Sequence, residues 1–479
     1  MVAWLVCLTI ILIAYAFQFA VILLLERRRQ AHMIAWLLIV MVCPFVGFAA
    51  YVVAGKRIKQ RIGNKRNNAD NNENYVNINK IVHEKVDEQM NNEGLKSQAR
   101  LLSLLAELTP FPITGQNRTK ILTNGEETFE TILEELHHAN HHIHLDYYTI
   151  RNDGIGGKFL KTLVKKAHEG VEVRVIYDGI GSLGLDQTFL DRLHNAGAHT
   201  ACFSPPRKAL LNRSINFRNH RKIVVVDGKV GFLGGINIGD EYVGLDKKLG
   251  FWRDTHMQIN GEAVYQLQQL FMRDWFSAAN IQLPDNEHYF PRNYCHGEER
   301  VLIVPGKPGI NDQKIVEVLA SAMAAAKTRI YATTPYFIPD PSLATNLRIA
   351  ARSGVEVKLI IPGISDSKLV LLATLSYVQD MLEAGVQIYR YQKGFIHAKV
   401  LIVDSLLATV GTANLDMRSL FSNYELLALL FDEHPIRKLE ADFLQDLAHS
   451  EPIDLEIFKR RSKKQKAAEE LMHMLSPLL

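Results

Sequence analysis

A chain of 479 residues exceeds what one hydrophobic core supports, so it has room for a membrane segment and two lobes. Hydrophobic residues at 47% and charged residues at 22% fit a globular body with an apolar part added, and a net charge of +4 is too small to make the whole protein a polyanion binder. Cys7, Cys43, Cys202 and Cys295 show no CxxC spacing, which argues against a zinc site or a disulfide framework and fits a reducing compartment.

Val2–Leu25 carries no charged side chain and, at roughly 1.5 Å per residue, is long enough as a helix to cross a hydrocarbon layer of roughly 30 Å. It lacks the basic start of a signal peptide, and a second uncharged segment, 33–55, follows a short link. Pro44 and Gly47 interrupt that second segment, which crosses as a tolerated kinked helix or turns back as a re-entrant hairpin. Residues 1–56 are thus expected to be a two-span anchor in the cell membrane. Lys56, Arg57, Lys59, Arg61, Lys65 and Arg66 outnumber Arg27, Arg28 and Arg29 of the link, which puts the large domain on the cytoplasmic side. The same basic run would attract anionic headgroups, at about 1 kcal/mol per residue. A polar linker, 57–110, comes next. Its stretch 64–100 is rich in Asn, Lys and Glu and reads as a tether or a mobile surface helix.

The remainder is written twice. Ile143-His-Leu-Asp-Tyr-Tyr-Thr-Ile-Arg-Asn-Asp153 parallels Ile330-Tyr-Ala-Thr-Thr-Pro-Tyr-Phe-Ile-Pro-Asp340, and helical stretches 159–168 and 343–352 follow. Gly170-Val-Glu-Val-Arg-Val-Ile176 then matches Gly354-Val-Glu-Val-Lys-Leu-Ile360, a glycine helix stop before a buried strand, and Asn195-Ala-Gly197 matches Glu383-Ala-Gly385. Strands alternating with helices predict an α/β class: two pseudo-symmetric α/β sandwich halves, 111–295 and 296–479, preceded by the two-helix membrane hairpin.

Each half carries one copy of His-x-Lys-x4-Asp, as His220, Lys222 and Asp227 and as His397, Lys399 and Asp404. Each copy leads into a small-residue turn that ends in Asn, Gly234-Gly-Ile-Asn237 and Gly411-Thr-Ala-Asn414. Period-2 geometry puts His and Lys on one face of a strand, and the glycines let the backbone approach a phosphate. Breaking a phosphodiester without a metal needs a nucleophile, a proton donor and fixed positive charge, and two copies supply each part. One neutral imidazole would attack phosphorus to give a phosphohistidine, the other would act as acid and base, and the lysines with Asn237 and Asn414 would hold the nonbridging oxygens. No metal and no cofactor is called for.

This doubled signature resembles the phospholipase D superfamily. Nearly the whole chain is similar to its bacterial cardiolipin synthase family, through Glu26-Arg27, Trp36, Pro44, Gly47, Tyr51 and Gly55, the stretch Trp252-Arg-Asp254-Thr-His256, the pair Asp274-Trp275 and the closing Ser476-Pro-Leu-Leu479. The resemblance implies phospholipase D-like halves, His220 as nucleophile, His397 as acid and base, and Asp254 and Glu425 as the carboxylates that orient them. It implies a phosphatidyltransferase that joins two phosphatidylglycerols into cardiolipin and releases glycerol, with anionic phospholipids and the membrane as partners and no nucleic acid. A membrane-bound phospholipase D yielding phosphatidic acid is the alternative. Asp227 and Asp404 end apolar strands and are better explained as caps or ion pairs than as proton carriers.

Three further features carry simpler readings. His137, His138, His141, His142 and His144 lack acidic or Cys partners at ligand spacing, so a solvated helix end explains them better than a metal. The run 459–466 and the amphipathic stretch 467–475 read as a helix packed on the domain and touching headgroups. Arg207, Lys208, Arg213 and Arg218 either gather anionic lipid at the site or keep a loop soluble.

Overall fold

The computed structural model describes residues 2–26, 30–55, 99–211, 216–292, 295–309 and 312–478. The arginine link 27–29, the basic flank beyond residue 55, the tether up to residue 98 and Arg213 lie outside them.

Val2–Leu25 forms one helix of 24 residues. Among the described residues it is the one helix long and apolar enough to span a bilayer. The second apolar segment is not continuous. It breaks into helices Gln30–Val42 and Pro44–Ala50 and a π-helical turn Tyr51–Gly55. Cys43 leaves the helical region with φ −133°, because the ring of Pro44 removes an N–H and crowds the preceding residue. Ile22, Trp36, Val40 and Tyr51 are buried together and hold the hairpin closed.

A single sheet of 16 strands runs through both halves. At its centre Thr114–Thr123 pairs antiparallel with Glu299–Gly306. Outward on one side lie Thr255–Gly261, Val230–Gly234, Lys222–Val226, His142–Tyr147, Glu172–Asp178 and His199–Phe203. Outward on the other lie Asn423–Leu430, Leu407–Gly411, Val400–Val403, Arg329–Thr333, Glu356–Pro362 and Gln387–Tyr391, the same order mirrored through the central pair. The duplicated helix stops keep one backbone shape: Gly170 and Gly354 have φ +90° and +91°, and Gly197 and Gly385 have φ +91° and +95°. A side chain with a Cβ is strained there, which is why glycine recurs.

Helices cover both faces of the sheet. Residues of the helices Ala263–Ala279 and Glu433–Ala448 share one core with strands of both halves, including Ile223, Met257, Ile303, Val410 and Leu426. The opposite face divides into two cores, one per half. Helix Ala99–Leu108 buries Leu101, Leu102 and Leu105 in the core of the second half, beside Ile315 and Leu319. The end of the stretch read as linker is therefore an integral helix.

One reading changes here, and another holds. His142 and His144 are not part of a solvated helix end: they lie in strand His142–Tyr147 and are fully buried. The imidazole of His144 stacks on Phe271 at 4.2 Å, as the ring of Tyr331 stacks on Phe443 at 4.7 Å in the other half, so this is a duplicated core position. Burial holds the His142 imidazole down at about 2 and His144 well below its ordinary value, so both are neutral. The C-terminal helix Lys463–Leu475 does pack on the domain, against helix Lys368–Glu383, and it also reaches the hairpin helix Gln30–Val42.

Candidate active site

His220 and His397 do not sit inside strands. Each lies in an extended segment just ahead of one, and each segment is zipped to a strand of the opposite half. Arg218–Asn219 pairs in parallel with Asn423–Tyr424, and the His220 amide then donates to the Tyr424 carbonyl at 2.9 Å. Gly394–Ile396 pairs in parallel with Phe251–Arg253, and the His397 amide donates to the Arg253 carbonyl at 2.7 Å. This exchange sets the next residue of each partner strand beside the ring.

The result is a crossed pair of clamps. His220 Nδ1 meets Glu425 Oε2 at 3.0 Å and His397 Nδ1 meets Asp254 Oδ2 at 2.7 Å. A carboxylate at Nδ1 holds that nitrogen as N–H and leaves the lone pair on Nε2. The carboxylates are held in turn. Glu425 accepts from Thr412 Oγ1 at 2.5 Å and Asn423 Nδ2 at 3.1 Å, and Asp254 accepts from the Thr255 amide at 2.8 Å and Trp252 Nε1 at 3.4 Å. Tyr148 packs edge-on to His220 at 5.0 Å and Trp252 lies against His397 at 5.1 Å, which leaves the rings little rotational freedom.

The glycines ahead of the asparagines serve a neighbour other than phosphate. A Cβ on Gly235 would stand 2.1 Å from Asp254 Oδ1, and one on Gly411 would stand 2.2 Å from the Leu426 carbonyl. They let the turns close on the strands that carry the orienting acids.

Lys222 and Lys399 are buried, and each ammonium donates to the carbonyl of its own histidine, at 2.7 and 2.5 Å. Burial pulls them down to about 7 and about 8, against the pull of nearby Glu425 and Asp254. Burial also lowers His220, which Glu425 partly offsets, and lowers His397 to about 4 with help from Lys399. Burial raises both acids, yet His220 with Lys222 and His397 with Lys399 more than offset it, so Glu425 and Asp254 are ionised. Burial thus favours the neutral form of both imidazoles, while the positive groups around Glu425 and Asp254 favour their ionised form.

Asn237 donates to the Tyr242 hydroxyl at 2.7 Å, and Asn414 donates to Asp416 at 2.9 Å. Both line the same cavity of about 700 Å³ as His220 and His397, together with Arg151, Arg218, Arg418 and the apolar Leu249, Trp252, Ile338, Val370 and Leu478. The Asn414 amide oxygen is buried without a partner.

The structure does not bring Asp227 or Asp404 to this cavity. Both have left-handed φ, +53° and +52°. The Asp227 carboxylate accepts from the amides of Asn140, His141 and His142, and Asp404 accepts from those of Lys327, Thr328 and Arg329. Each ties the strand end to the start of the neighbouring strand. Of the four basic residues ahead of the first signature, Arg218 is buried and reaches Asp178 at 3.4 Å, which makes it a wall of the cavity.

Sequence reasoning missed several supports. Arg221, inside the first signature, is buried and donates to Asp274 at 2.6 Å, to the Glu425 carbonyl at 3.1 Å and to the Gly306 carbonyl at 3.0 Å. Arg253 donates to Asp446 at 2.8 Å. An arginine inside an apolar signature is a visible sign of a buried partner, but the partner's identity is not.

Residues 132–275 and 319–447 match the family described as "Cardiolipin synthase, PLD-like domain". The chain belongs to this family. Curated relatives agree: it is 42% identical to a cardiolipin synthase of Geobacillus sp. (strain WCH70) over 96% of this chain and 91% of that one. It is 40% identical to cardiolipin synthase 2 of Bacillus anthracis over 97% and 90%. A crystal structure of phosphatidylserine synthase from Haemophilus influenzae Rd KW20 superposes with a TM-score of 0.61 at 15% identity, covering 79% of this chain and 100% of that one, which establishes the shared fold. The two matched segments fall one in each half of the sheet. With its apolar N-terminal helix and these relatives, the chain is a membrane protein. Among the described residues no group of three or more His, Cys, Asp or Glu is placed to hold a metal ion.

Proposed function

We propose that this chain is a cardiolipin synthase that moves a phosphatidyl group between two phosphatidylglycerols through a phosphohistidine. The crossed clamp carries the reading: two imidazoles on one cavity, each held at Nδ1 by a carboxylate from the other half, leave Nε2 to face a ligand. The Nε2 lone pair of His220 attacks phosphorus, the bond from phosphorus to the glycerol oxygen breaks, and His397 gives that oxygen its proton. The terminal hydroxyl of the second phosphatidylglycerol then attacks the phosphohistidine, His397 takes its proton, and the P–N bond breaks to release cardiolipin. One phosphodiester replaces another, so the reaction is close to an exchange and reversible.

Lys222 and Lys399, with Asn237 and Asn414, receive the nonbridging oxygens. An arriving phosphate is an anion in a buried site, so it raises the proton affinity of His397 and of both lysines and favours a His397 that has taken its proton from solvent. Asp227 and Asp404 act on the strand ends alone.

The helix Val2–Leu25 and the broken segment after it both enter the membrane, and the six basic residues from Lys56 to Arg66 keep the catalytic halves on the cytoplasmic side. Phospholipid headgroups are the partners; nucleic acid is not.

Incubating the membrane-bound protein with labelled phosphatidylglycerol should yield cardiolipin and free glycerol. Phosphatidic acid without cardiolipin would make it a hydrolase. For the assignment of roles, His220→Ala should trap no labelled phosphatidyl group, whereas His397→Ala should hold it. Label on His220→Ala would reverse the two histidines.

A further inference from the structure

Ser476, Pro477 and Leu478 form a short turn that follows the helix Lys463–Leu475. Here Ser476 is 2% exposed and its hydroxyl meets the Tyr377 hydroxyl at 3.0 Å. The turn Ser476–Leu478 touches the hairpin helix Gln30–Val42, the C-terminal helix Lys463–Leu475 and the short helix Met417–Phe421 beside the cavity. Leu478 belongs to two places. It packs on the hairpin cluster of Ile22, Trp36, Val40 and Tyr51, and it lines the catalytic cavity.

Part of the cavity lining is apolar. Ile338 and Val370 join Leu478 there, and they continue into a buried cluster with Ala373 and Met472. The arginines and histidines line the same cavity. A ligand that satisfies both parts has an anionic head and a long apolar tail. Leu478 in that lining also meets the hairpin cluster, so a tail that passes over it need not leave apolar surroundings for water while the head reaches His220.

We propose that the C-terminal turn is the acyl-chain threshold of the active site, with Leu478 as the specificity-determining contact for the diacylglycerol part of the phospholipid. This rests on the phospholipid reading above. It goes further by assigning the tail a route, past the hairpin and over Leu478, and by giving the last residues of the chain a part in substrate choice.

The test compares two probes in detergent micelles, the short-chain dihexanoyl- and the long-chain dioleoyl-phosphatidylglycerol, with the full-length protein. Losing one apolar contact of leucine size corresponds to about tenfold in the ratio of their kcat/KM values. Leu478→Asp is expected to lower the dioleoyl-to-dihexanoyl ratio by about that factor, and Leu478→Met to restore it. Leu183→Asp makes the same change at an exposed leucine outside the cavity lining and is expected to leave the ratio alone. A purely mechanical clasp between anchor and domain would lower both substrates together, so an unchanged ratio in Leu478→Asp overturns the proposal. So does an equal fall in Leu183→Asp. If the unaltered protein makes cardiolipin from neither lipid, the functional reading fails first and this one with it.

Discussion

Lys222→Met should remove transfer activity and yet stabilise the fold, by an amount that depends on pH. The Lys222 ammonium has no exposed surface, and burial brings it down to about 7. A free lysine titrates near about 10.4, and each pH unit of displacement is about 1.4 kcal/mol. Between those two values the unfolded chain binds more protons than the fold, so stability rises with pH through that window. At pH 6 the fold carries almost the whole cost of the buried charge, about 4 to 5 kcal/mol, and at pH 9 about 2 kcal/mol remains. Methionine removes that cost but forfeits the 2.7 Å hydrogen bond to the His220 carbonyl. That loss is about 1 to 3 kcal/mol. The net gain is then about 2 kcal/mol at pH 6 and near zero at pH 9. Thermal unfolding of the detergent-solubilised chain at both pH values reads this out; in a protein of this size the expected rise at pH 6 is about 2 °C. A variant that is less stable at pH 6, or whose difference from the parent does not change with pH, would refute a burial-driven shift at Lys222.

The other expectations concern the clamps and the strand ends. Asp254→Asn and Glu425→Gln should each cut kcat by about 10²- to 10⁴-fold with KM within a few-fold, because the ring loses the partner that sets its tautomer; steady-state kinetics giving a pure KM effect would contradict the clamp. Asp227→Ala should cost about 2 to 4 kcal/mol, since three amides lose their acceptor and alanine resists a left-handed φ. Asp227→Asn should recover most of that, with turnover per folded molecule unchanged in both; a specific loss of turnover would return this residue to the chemistry. His144→Phe should fold and work, because the position is a stacked core site, and a strong activity loss in a soluble, folded variant would argue for a ligand role. Dialysis against a chelator should leave cardiolipin formation intact, and a restorable metal requirement would count against the phosphohistidine route.

What one can read from the amino acids here is whatever repeats or has a period. The duplication was legible because two halves under the same packing constraints keep the same glycines, and a left-handed helix stop admits little else. The pairing of each signature with a turn ending in Asn was legible for the same reason. The acids Asp254 and Glu425 were within reach only through family resemblance, since nothing local marks them as partners of His397 and His220.

Which acid faces which histidine was decided by tertiary structure. It follows from two parallel pairings that exchange short segments between halves, contacts separated by 143 and 205 residues in sequence. No local pattern encodes such a partner. The fate of His144 turned on the same physics, because an apolar sheet face beside Phe271 buried a residue that its neighbours in sequence made look solvated. Sequence determined that the two signatures bring two histidines and two lysines, and that an apolar segment precedes them. Folding decided that the histidines share one cavity, that Asp227 and Asp404 stand away from it, and that the turn Ser476–Leu478 joins that cavity to the apolar N-terminal helices.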